Sequence, residues 1–117
     1  MKMNLGLANM MRLKDLKNEI NKLMEIINND VDMFISTSND LEDKLSETSI
    51  KDLIWIIYGD LIAWDDKETT LKDIEEAKIY LDELEKYPKL QNDAELKDMI
   101  SDIRYKLDML YQLRSSI

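Results

Sequence analysis

Residues 50–64, IKDLIWIIYGDLIAW, constrain the fold of this chain more than any other stretch. Eleven of the fifteen are apolar, and only Lys51, Asp52, Gly59 and Asp60 interrupt them. At about 100° per residue, Ile50, Leu53, Ile54, Ile57, Leu61 and Trp64 fall on one broad stripe of a helix. Trp55, Tyr58 and Ile62 form a second stripe beside it. A helix apolar around more than half its circumference needs neighbours on several sides. The rest of the chain has to supply them.

Three other segments carry the matching pattern. Leu13, Leu16, Ile20, Leu23 and Ile27 step by three and four residues, the seam of a helix packed at a shallow angle, and Val31, Phe34 and Ile35 continue it. The break in heptad phase at Val31 suits an intramolecular bundle better than a long coiled coil. This predicts a first helix over 13–35. Ser36-Thr37-Ser38-Asn39 reads as a stop and restart, with Ser38 or Asn39 capping a short helix through Leu41 and Leu45. Ser49 with Asp52 three residues later resembles a capping box and opens the central helix. Thr70 with Asp73 marks the next start, and acids there also suit the helix dipole. That third helix, 71–86, buries Ile74, Ala77, Leu81 and Leu84 and is ended by Pro88, because the residue before a proline is pushed out of the α region. Asn92 with Glu95 caps the last helix, 93–114, whose core stripe is Leu96, Met99, Ile100, Ile103, Leu107 and Leu110.

Only two Gly and one Pro punctuate 117 residues, too few for a sheet protein with its many turns. The expected fold is therefore all-α: an antiparallel four-helix bundle with a short additional helix between the first and second long ones. Residues 13–117 make one domain. Residues 1–12 form a flexible N-terminal arm or the fraying start of the first helix. Gly59 and Ala63 share the face opposite the main stripe of the central helix. Either a neighbouring backbone comes close there, or, as Asp52 on the same flank suggests, that face meets solvent.

Composition excludes several kinds of chemistry. Without cysteine there are no disulfides, thiolates or cysteine-ligated zinc. Without histidine, the usual general base at neutral pH and the commonest metal ligand are missing. No cofactor and no metal are expected, and the chain reads as a non-enzyme. Residues 1–12 are too short and too interrupted for a secretory signal, and no stretch approaches the ~20 apolar residues of a membrane span. A cytoplasmic protein without membrane contact is expected.

The net charge of −9 is uneven. Residues 1–38 carry five acids and five bases, whereas residues 39–100 carry eighteen acids and eight bases. Direct nucleic-acid binding is disfavoured, since a phosphate backbone is engaged by Lys and Arg. A protein partner with a basic surface is favoured through electrostatic steering. Asp60, Asp65, Asp66, Glu68, Asp73, Glu75 and Glu76 cluster around one turn beside Trp64. Asp60, Trp64, Asp65, Asp66 and Glu68 are the candidate partner-binding residues, with solubility as the alternative reason for the acids. Apolar residues off the core stripes are Ile26, Met33, Trp55, Tyr58, Ile79, Tyr105 and Met109. Trp55 and Tyr58 are the candidates for a partner or homodimer face, unless a second core contact absorbs them. Small size, acidity, and the Lys-, Asn- and Ile-rich usage of an AT-rich genome suit an inhibitor, an immunity protein or a phage-encoded antagonist.

Two resemblances bear on function. Glu75-Glu76 and Glu95-Leu96-Lys97-Asp98 form an EE…ExxD pattern that resembles the all-α nucleoside-triphosphate pyrophosphohydrolases, although Ile79 stands where that family's EExxE run has its third acid. The resemblance implies magnesium held by these acids between helices, positioning a triphosphate. Ala77, Leu81 and Pro88 resemble the end of a tetratricopeptide repeat, with no second copy ~34 residues on.

Overall fold

The computed structural model describes the backbone of residues 2–38, 44–64 and 66–117, and the side chains of residues 13–38, 50–64, 66–88 and 90–117. Among the described residues five helices follow in order: α1 (Lys2–Thr37), α2 (Lys44–Ala63), α3 (Lys67–Leu84), α4 (Pro88–Gln91) and α5 (Ala94–Ser115). The described residues contain no strand. The four long helices pack together, α1 against α2 and α5, and α3 against the same two. The one-turn α4 packs on α5.

One hydrophobic cluster joins them, with Ile20, Met24, Ile27, Val31 and Phe34 from α1 and Ile50, Ile54, Ile57 and Leu61 from α2. Ile74, Ala77, Leu81 and Leu84 come from α3, and Leu96, Ile100, Ile103, Leu107 and Leu110 from α5. Ile50, Ile54, Ile57 and Leu61, four of the six residues of the main stripe of 50–64, are thus core, with Leu53 and Trp64 packed at its edge. Leu13 is exposed. Lys17, one turn later, already lies against Trp64 at the end of α2, so the turn carrying Leu13 runs past its partner helix.

Helix boundaries differ from the sequence-based expectations where local capping signals compete. The backbone of α1 is already helical at Lys2, and Ser38 closes it: its N–H donates to the Phe34 carbonyl (2.9 Å) and its hydroxyl to that of Ile35 (3.3 Å). The short helix expected between the first and second long ones falls mostly on residues 39–43, outside the described residues. Residues 44–49 belong to α2, so Ser49 lies inside that helix and not at its start. Thr70 likewise does not open α3, which begins at Lys67. It is buried in the first turn, with its hydroxyl donating to the Asp66 carbonyl at 3.3 Å. The cap of α5 is Asp93 and not Asn92, its Oδ1 accepting from the Leu96 N–H at 3.1 Å. Pro88 acts as expected on Tyr87, which is extended (φ −67°, ψ 132°), but also starts α4 from the N1 position that proline favours. That turn delivers Leu90, fully buried, into the core.

Ion pairs line the seams between helices. Lys51 bridges α2 to Asp32 and to Asn28 (2.8 Å) of α1. Lys106 of α5 holds Asp30 of α1 and Asp102 (2.7 Å). Lys78 of α3 reaches Asp108, while Arg104 of α5 holds Asp82 (2.9 Å) and Glu85. No helix among the described residues is long and apolar enough to cross a membrane.

Candidate functional site

The candidate residues divide between two parts of α2. At its end, the chain must turn sharply into α3, and Trp64 makes the turn with a left-handed backbone, φ 51°. Helices commonly end this way, but on Gly or Asn; for a residue with a Cβ the conformation costs about 1–2 kcal/mol. The compensating contacts are visible around the indole. The Lys17 Nζ lies 4.2 Å from the ring centroid and the Arg114 guanidinium 4.8 Å from it. Both are within cation–π range, so Trp64 joins α1, α2 and α5. Arg114 is 6% exposed and sits in the last turn of α5, where a cation also suits the helix dipole. Beside it, Lys67 Nζ donates to the Ser115 carbonyl at 3.1 Å, satisfying one of the open acceptors at that helix end.

These contacts change the reading of the acidic turn. Asp60 is 8% exposed and is not part of a surface patch. Trp64 is half-buried between two cations and presents no free aromatic anchor. Asp66 and Glu68 are exposed at the start of α3, and Asp65 lies outside the described residues. Counted along the chain, the turn is strongly negative. In space the same end of the molecule carries Lys17, Lys67 and Arg114, two of them brought from more than forty residues away. The expected electronegative patch is therefore interleaved with cations.

The other part is the flank of α2 that faces outward beside α1. Trp55, Tyr58 and Ile62 share it, 58%, 36% and 63% exposed. The second stripe of 50–64 is surface, not core. Its aromatic rings meet edge to face, with centroids 6.0 Å apart and planes at 75°, an arrangement that favours the ring quadrupoles. A concave pocket opens beside them, lined by Glu25 and Asn28 of α1 and by Ile54, Trp55 and Tyr58 of α2. Gly59 lies on the same outer side, and a Cβ built there would meet nothing within 4 Å, so this face meets solvent and no neighbouring backbone. Ile56 is also exposed, on the opposite flank.

The remaining off-stripe residues, Ile26, Met33, Ile79, Tyr105 and Met109, are all exposed as well. Ile79 stands on α3 among Glu75, Glu76, Asp82 and Glu83, its neighbours at three and four residues. The acids of the EE…ExxD pattern do not converge: Glu75 pairs with Lys78 at 3.3 Å, and no group of three or more acidic residues able to hold a metal ion occurs among the described residues. Glu25, Asn28, Lys17 and Arg114 are site residues that sequence reasoning does not single out. The first two sit at the margin of the α1 stripe, and nothing local distinguishes them from other solvated positions. Comparison with protein-family models, curated proteins and solved structures finds no match to this chain.

Proposed function

We propose that this is a small acidic binding protein that acts by occupying a basic surface of another protein, in type an inhibitor, an immunity protein or a phage-encoded antagonist working in the cytoplasm. The observation that carries the proposal is the exposure of Trp55, Tyr58 and Ile62 in one stripe on the helix that also anchors the core. Large apolar residues scattered singly need no explanation. Two aromatics and an isoleucine on consecutive turns of a rigid helix are the composition of a binding hot spot. The net charge of −9 supports a basic partner and opposes self-association, because two copies meet with like charge.

The scaffold in this reading is an antiparallel four-helix bundle. Its support is that Lys51, near the start of α2, pairs with Asp32 near the end of α1, while Trp64, just past the end of α2, meets Lys17 toward the other end of α1. Such a bundle holds the α2 stripe in fixed geometry without help from the partner.

The test is capture of partners from lysate of the source cell by the immobilised protein. The expected result is a basic protein retained by wild type, released by raised salt, and not retained by Trp55→Ala or Tyr58→Ala. Retention by both variants, or indifference to salt, overturns the reading. Light scattering at twice the 13.8 kDa chain mass, lost on Tyr58→Glu, would replace it with a homodimer.

A further inference from the structure

The pocket between α1 and α2 has walls of defined chemistry. Its floor is Ile54, buried in the core. Trp55 and Tyr58 give it two aromatic walls at nearly a right angle. Asn28 and Glu25 form the polar rim on α1. An aromatic ring face attracts a cation through its quadrupole, most strongly that of an indole. The molecule's own Lys51 lies over the Trp55 ring, though at 6.0 Å, the outer limit of that interaction. Lys51 is held off by Asp32 and by Asn28 Oδ1, and its charge is answered there.

Glu25 differs from the carboxylates that carry the ion pairs between helices. Asp30, Asp32, Asp82, Glu85, Asp102 and Asp108 each meet a lysine or arginine. Glu25 is exposed on the pocket rim and enters no ion pair among the described residues. Lys51 is paired with Asp32, and among the residues that line the pocket Glu25 carries the charge. An anion is therefore repelled. An apolar knob would strip water from the carboxylate without giving a hydrogen bond in return, which costs free energy. A planar cation satisfies both walls and rim, because a guanidinium stacks on an aromatic face and donates two parallel hydrogen bonds to a carboxylate. An ammonium is more strongly hydrated and makes only a point contact.

We propose that the pocket lined by Glu25, Asn28, Ile54, Trp55 and Tyr58 receives an arginine side chain of the partner protein. This rests on the reading of the α2 flank as a protein-docking face and adds the residue that this face selects. The experiment is a titration of the full chain, labelled with ¹⁵N, against N-acetyl-arginine amide, with N-acetyl-lysine amide and N-acetyl-citrulline amide in parallel. The chain has two tryptophans, so two indole N–H signals are expected, and Trp64, already enclosed by Lys17 and Arg114, serves as the internal control.

The arginine derivative should shift the Trp55 indole and Asn28 side-chain amide signals saturably and leave Trp64 in place. Citrulline, the same shape without charge, should produce no saturable shift, and lysine should bind several-fold more weakly. Glu25→Gln should weaken arginine binding about tenfold, and Trp55→Ala should abolish the Asn28 response. Both positions are exposed, and an unchanged far-ultraviolet spectrum verifies the fold of each variant. Equal binding of citrulline overturns the charge argument, equal binding of lysine overturns the choice of a guanidinium, and no saturable shift with any of the three overturns the pocket. In that last case capture of a partner that still depends on Trp55 would leave the docking face standing, so the two failures are told apart.

Discussion

Replacing Trp64 by alanine and, separately, by glycine probes the end of α2 in opposite directions. Either change removes the indole from between Lys17 and Arg114. Each cation–π contact is worth about 0.5–1 kcal/mol where exposed and about 2 where desolvated. Arg114 is buried and Lys17 half-buried, so the two together contribute about 1–3 kcal/mol. Lost packing of a half-buried indole adds about 1–2 kcal/mol, a fraction of the cost for a fully buried one. Both variants lose these contacts, roughly 2–5 kcal/mol in sum. They should not lose the same amount. Alanine keeps the cost of φ 51°, about 1–2 kcal/mol. Glycine removes it and gives back about 0.5–1 kcal/mol through the greater freedom of its unfolded chain. Trp64→Gly should thus be more stable than Trp64→Ala by about 0.5–1 kcal/mol, the net of those two effects. Urea unfolding followed by circular dichroism at 222 nm measures both, since it does not depend on the indole. Equal m-values are required for the comparison. If alanine equals or exceeds glycine at this position, the left-handed turn and the compensation built on it are wrong.

Gly59 provides the reverse case within the same helix. Its Cβ position is open and its φ is not positive, so Gly59→Ala should stabilise by about 0.5–1 kcal/mol and raise Tm by a few degrees. A loss of stability would mean that something packs there. At Lys106, burial opposes the charge, but hydrogen bonds to Asp102 and Asp30 outweigh it, and the pKa is raised above the ordinary 10.5. The folded state then binds the proton more tightly than the unfolded one. The contribution is complete below pH 10.5 and is lost as pH rises through the folded-state value. The stability gap between wild type and Lys106→Met should accordingly narrow above that pH, and a gap that is constant or widens through pH 11 refutes the sign. Ile57→Ala, in the middle of the core, should cost about 2–5 kcal/mol by the same urea assay, and a cost under about 1 kcal/mol would place that residue outside a packed core.

The helical elements were legible because their apolar spacing is long and regular. The main stripe of 50–64 locates Ile50, Ile54, Ile57 and Leu61 in the core, and the pattern of α5 does the same for Leu96 through Leu110. Starts and stops were less legible, because serine, threonine and asparagine fit caps in many places and packing selects among them. Ser49 and Thr70 ended inside helices for that reason, and Asp93 took the cap in place of Asn92. The site was half legible. Periodicity marks Trp55, Tyr58 and Ile62 as surplus to one core stripe, but not whether another helix covers them. The cations beside the acidic turn were not legible for a different reason: Lys17 and Arg114 are remote in sequence, and only tertiary packing brings them to Trp64. Charge counted along a chain is not charge in space.

The central claim is that α2 divides its duties, one stripe holding the fold and the other binding a partner. Trp55→Ala tests this most directly when its thermal unfolding and its affinity for the captured basic partner are measured on the same preparation. Trp55 is mostly exposed, so stability should stay within about 0.5 kcal/mol of wild type, while affinity should fall at least about thirtyfold, as for a hot-spot aromatic. Destabilisation of several kcal/mol would make Trp55 part of the core, and unchanged affinity would take the partner away from this face.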